Sequence, residues 1–101
     1  MVLLLHGWFP SDRITEPDED LISDAIRDAA LETAALALEA ELRYCFALLR
    51  IDSASARDIF DQARFDARLR APMASPFEVR HQAALDVRLA LRELCLARAA
   101  G

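Results

Sequence analysis

The residues able to do chemistry are few, and most are scattered. Glu78 and His81 form E-x-x-H, a spacing that puts both side chains on one face of a helix. Di-iron carboxylate bundles use that spacing, but they need a second E-x-x-H and a glutamate from a neighbouring helix. One copy of this chain has no second E-x-x-H, so a homodimer would have to supply it, with Glu41 from each subunit. Glu41, Glu78 and His81 are therefore the residues a metal would have to use. Glu78 also has a competing structural role, because Ser75-Pro76-Phe77-Glu78 is a capping box with proline at the first helical position.

His6, His81, Cys45 and Cys95 show no zinc-ligand spacing. Neither thiol has a histidine beside it in sequence, and no glycine-rich phosphate loop exists. The expectation is a protein without catalytic residues or cofactor. Val2-Leu3-Leu4-Leu5-His6-Gly7-Trp8 is similar to the strand and oxyanion-turn segment of α/β-hydrolases. That fold requires a G-x-S-x-G elbow; glycine occurs only at Gly7 and Gly101, so the resemblance is set aside.

The elements that would position these residues are helices. From Asp18 to Arg50 there is neither proline nor glycine, and Pro17 followed by Asp18, Glu19 and Asp20 suits a helix start. A second helix is expected over 54–70, with Asp52, Ser53 and Ser55 as candidate caps. A third is expected over 75–98. Residues 1–17 read as an apolar arm and a polar linker. No segment shows the alternation of a half-buried strand. The fold class is all-α: an antiparallel three-helix bundle with a long first helix and a short apolar N-terminal arm, one domain over 1–101.

At 100° per residue, Glu32, Glu39, Arg43 and Arg50 line one stripe of the first helix, which reads as its wet face. Ile22, Ile26, Leu36, Tyr44 and Leu48, with the alanines between them, read as its core face. Glu41 projects among these apolar positions as an anomaly. In the second helix the core face reads as Ala56, Ile59, Phe60, Ala63 and Ala67; in the third, as Phe77, Ala84, Val87, Leu91, Leu94 and Cys95. Both cysteines fall on apolar faces and are expected as buried free thiols; in an up-down-up bundle the two could share a layer.

Apolar residues make up 54% of the chain, above the usual ~45–50% for a soluble domain. Leu31, Leu38, Leu42, Phe65, Leu69, Leu85, Leu89 and Leu96 are left over once one core is filled, so they are the expected interface residues. The net charge is −5, and the acids concentrate in the first half. That speaks against a nucleic-acid binder needing a phosphate-facing basic patch. All twelve basic residues are arginine, and neither lysine nor asparagine occurs, which fits a GC-rich bacterial or phage genome. No stretch suits a membrane span or a signal peptide, so the cytoplasm is the expected location.

The expected function is protein–protein interaction, as an adaptor or inhibitor, with a second copy or another helical protein as partner. A helix-turn-helix regulator reading DNA through Arg80, Arg88 and Arg92 is one alternative. A dimeric helical metal-carboxylate enzyme is the other.

Overall fold

A computed structural model describes the backbone of residues 11–100 and the side chains of residues 20–100. The expected arm, with His6, lies outside these residues. Three helices follow one another, α1 (Ser11–Leu48), α2 (Ser53–Arg70) and α3 (Pro76–Ala100), and no strand occurs among the described residues. They pack against one another as a small helical bundle. α1 starts earlier than Pro17 and Asp18 suggest. Pro17 therefore lies within the helix, where it supplies no N–H to the ladder.

The other boundaries follow local chemistry. Asp52 caps α2: its Oδ1 accepts the Ser55 N–H at 2.7 Å. That bond holds the Asp52 carboxyl below the usual range. The capping box starts α3 as expected. The Ser75 N–H donates to Glu78 Oε1 at 2.8 Å, and the Glu78 N–H donates to Ser75 Oγ at 3.1 Å.

α1 ends in a Schellman motif. The Ile51 N–H reaches the Phe46 carbonyl at 2.9 Å and the Arg50 N–H reaches that of Ala47 at 3.1 Å. Arg50 takes the left-handed position, with φ 63°. A side chain there crowds its own backbone, at a cost of roughly 1–2 kcal/mol. Arg50→Gly is expected to raise stability by about 1 kcal/mol, after allowing for the greater freedom of unfolded glycine. Thermal unfolding checks this, and an unchanged or lower midpoint would show the turn is not strained.

The core gathers Leu38, Leu42 and Phe46 of α1, Ala56 and Phe60 of α2, and Ala84, Val87 and Leu91 of α3. Phe46 meets Phe60 edge-to-face, with ring centroids 5.7 Å apart. A smaller cluster of Ala67, Val79 and Ala83 closes the α2–α3 end. Leu38 and Leu42, expected as surplus surface, are core residues. They share one line with Ala35, Phe46 and Leu49, so they turn inward together.

The molecule is long and thin. Its extents are 69 × 28 × 25 Å and its radius of gyration is 20.0 Å, against roughly 13 Å for a compact domain of this length. It exposes 7375 Å², against roughly 5,700 Å² for a compact monomer of its mass. The cause is α1. At 1.5 Å per residue it runs about 57 Å, and no side chain from Asp20 to Arg27 is buried.

Candidate interaction surface

Of the stripe that reads as wet, Glu32, Arg43 and Arg50 are exposed, but Glu39 turns inward beside the line of Ala35, Leu38, Leu42 and Phe46. Glu39 is 1% exposed, the only charged residue in the core of the described chain. Arg80 of α3 grips it with two parallel bonds, Nε to Oε2 and Nη2 to Oε1, both 2.8 Å. Arg64 of α2 adds Nη2 to Oε2 at 3.1 Å. Arg43, one turn along α1, lies 3.9 Å from Oε1 and sits over the Phe60 ring at 5.1 Å. One carboxylate thus ties all three helices together.

The Arg80 hydrogen bonds lead in holding the Glu39 carboxyl below its ordinary value. Burial opposes them, and the Arg64 bond and the two positive charges add to the lowering. Arg80 is in turn held more firmly protonated by Glu39.

These arginines decide the orientation of α1. Arg64 lies one turn after Phe60, and Arg80 lies one turn before Ala84, so both occupy the inner lines of their helices. A third helix presenting only aliphatic side chains would leave these two half-buried guanidinium groups without their charged acceptor. Glu39 satisfies them, and Phe46, seven residues on, occupies the same line as Glu39. The pairing of that phenylalanine with inward arginines on two helices was the signal available in the sequence.

The opposite face of α1 is consequently bare. Ile22, Ile26, Leu36, Tyr44 and Leu48, expected in the core, are all exposed, Ile26 at 64% and Tyr44 at 67%. Ala29, Thr33, Ala37 and Ala40 lie between them and are exposed too. The stripe from Ile22 to Leu48 runs about 39 Å and contains no charged residue. Such a continuous apolar surface is uncommon on a monomer.

The other expected interface residues divide. Phe65, Leu69, Leu89 and Leu96 are exposed, on the outer sides of α2 and α3. Leu31 is half-buried, and Leu85 is partly buried against the core. Ile59 and Leu94 are only marginally exposed at the edges of their faces. Val79 and Ala83 are core residues that the sequence reading passed over.

The cysteines are exposed, not buried, and unbonded. They line one shallow groove with Leu42, Leu49 and Leu91, at the margin of α1 and α3. Each lies beside the inner line of its helix, which is why the apolar pattern misplaced them. A larger groove of about 520 Å³ runs between α2 and α3, floored by Ile59, Ala63, Val87 and Ala90. Arg70 bonds Asp86 at its rim.

Glu78 is spent on the cap, His81 is half-buried beside it, and Glu41 stands exposed on α1. Among the described residues no group of three or more His, Cys, Asp or Glu gathers to hold a metal. Of the three arginines expected to read DNA, Arg80 is committed to Glu39, while Arg88 and Arg92 are exposed. Among the described residues no helix is long and apolar enough to cross a membrane. No family model, no curated protein and no solved structure matches the chain.

Proposed function

We propose that this protein is a helical protein–protein interaction module that first associates with itself. The bundle is taken as antiparallel, a reading supported by Phe46 packing on Phe60 while Glu39 bonds Arg64. The uncharged stripe on the outer face of α1 carries the functional proposal. Its five large side chains present on the order of 600 Å² per copy, or about 1,200 Å² across a pair, the lower end of specific interfaces. Burial of that apolar area would favour association, with the affinity set by packing quality and by the entropy lost on binding rather than by area alone.

Phe65, Leu69, Leu89 and Leu96 remain as further apolar positions for a heterologous partner. The commitment of Arg80 to Glu39 weighs against a DNA reader built on α3. Mass measured by light scattering or sedimentation at micromolar concentration tests the proposal. A dimer or larger species is expected; a clean monomer of about 11 kDa overturns it.

A further inference from the structure

The groove between α2 and α3 is lined by no residue of α1. Its size, about 520 Å³, is that of clefts that hold ligands. Two alanines make it. Ala63 on α2 and Ala90 on α3 leave a trough where larger side chains would meet, and Ile59 and Val87 give it an apolar floor. Along α2 it extends from Asp58 to Arg70, about 18 Å or three turns. A trough of that length, open to water and bounded by two helices, suits the side chains of a third helix better than a compact small molecule.

The rim is acidic. Asp58 and Asp66 of α2 and Asp86 of α3 border the floor. One basic residue lines the groove, Arg70, and it is bonded to Asp86. Asp66 accepts a hydrogen bond from Gln62 Nε2 at 3.0 Å, and neither Asp58 nor Asp66 forms an ion pair among the described residues. Asp58, Gln62 and Asp66 follow one another at i,i+4 spacing, so the uncompensated charge runs along one lip. Glu93, two turns on from Asp86, continues the acidic flank of α3. The sign is local and does not merely repeat the net charge: the groove between α1 and α3 is edged instead by Arg88 and Arg92.

We propose that the α2–α3 groove seats a basic amphipathic helix of another protein, with aliphatic side chains over Ala63 and Ala90 and lysines or arginines against Asp58 and Asp66. Apolar contact holds such a helix and charge selects it, because an acidic helix would set like charges along the same lip. This goes beyond the self-association proposed above and does not rest on it, since the uncharged stripe belongs to α1 and the groove to α2 and α3.

The test titrates full-length protein into two labelled peptides of about 18 residues, or five turns. Fluorescence anisotropy is read at low and at physiological ionic strength. One peptide is built of leucine and lysine at helical spacing; the other has glutamate in place of each lysine. The leucine–lysine peptide is expected to bind, more weakly as salt rises. The leucine–glutamate peptide is expected to bind at least about tenfold less tightly. Asp58→Asn with Asp66→Asn is expected to weaken the first peptide roughly five- to tenfold. Asp20→Asn with Asp24→Asn removes the same charge from an exposed part of α1, and is expected to change the affinity by less than about twofold. Asp58→Arg with Asp66→Arg is expected to reverse the preference in favour of the leucine–glutamate peptide, a selective gain that a misfolded variant could not give. Absence of binding, equal binding of both peptides, equal losses in the two asparagine pairs, or failure of the arginine pair to reverse the preference would each overturn the proposal. Oligomer mass is read separately: a monomer that takes the lysine peptide in this groove keeps the inference and overturns only the self-association.

Discussion

Ile26→Asp is expected to raise the dissociation constant of the dimer on the order of 1,000-fold. Ile26 lies near the end of the outer stripe and is 64% exposed in one copy. Its burial in a pair contributes about 2 kcal/mol. A two-fold interface contains it twice, so the loss is about 4 kcal/mol, or roughly three decades in affinity. Burying an aspartate without a partner adds to that loss. The bundle itself should be untouched, because Ile26 makes no core contact; the unfolding midpoint at high dilution is expected to stay near that of the parent protein. Leu89→Asp serves as the comparison, since Leu89 is 56% exposed but lies on α3. Sedimentation of both variants decides: if Leu89→Asp dissociates the protein and Ile26→Asp does not, α1 is not the contact face.

Arg80→Ala is expected to destabilise the bundle by about 3 kcal/mol. It leaves Glu39 in the core with only the single bond from Arg64. Glu39→Met should cost far less, about 1 kcal/mol or under, because Arg64 and Arg80 each keep about a third of their side chain in water and can rehydrate. A methionine also fills the vacated space with apolar volume. The asymmetry is the point of the measurement, and denaturant unfolding reads it. A Glu39→Met loss exceeding that of Arg80→Ala would mean the carboxylate is not the desolvated partner.

The same clamp fixes the response to acid. The Glu39 carboxyl is depressed in the folded state, so its contribution is full above the ordinary carboxylate range. It is lost as pH falls through the depressed value. Stability should therefore be flat from neutrality to about pH 5 and fall below that. Glu39→Met should show a shallower fall.

Much of the fold was legible because much of it is local. The capping box at Ser75–Glu78, the Asp52 cap and the absence of breakers from Asp18 to Arg50 each declare a helix without reference to the rest of the chain. Phe65, Leu69, Leu89 and Leu96 were also placed outward, since each stands opposite a clear core line. The orientation of α1 was not legible from α1 alone. A helix apolar around most of its circumference has no dominant face for burial to select. Its orientation is a matter of partners: Arg64 and Arg80, 25 and 41 residues from Glu39 in sequence, engage the carboxylate that lies beside Leu38, Leu42 and Phe46. The candidate site moved accordingly, from a scatter of surplus leucines to a single stripe, while Leu38 and Leu42 passed into the core.

The stretch of α1 from Asp20 to Arg27 has no buried side chain. A helical segment held only by its own backbone bonds is marginal in water, because each turn must offset the conformational entropy of the residues it orders. In the proposed dimer, docking against another copy would remove that deficit. The winding of these two turns would then be a property of the assembly, rising and falling with protein concentration, so that folding and recognition at this end would be one equilibrium observed from two sides.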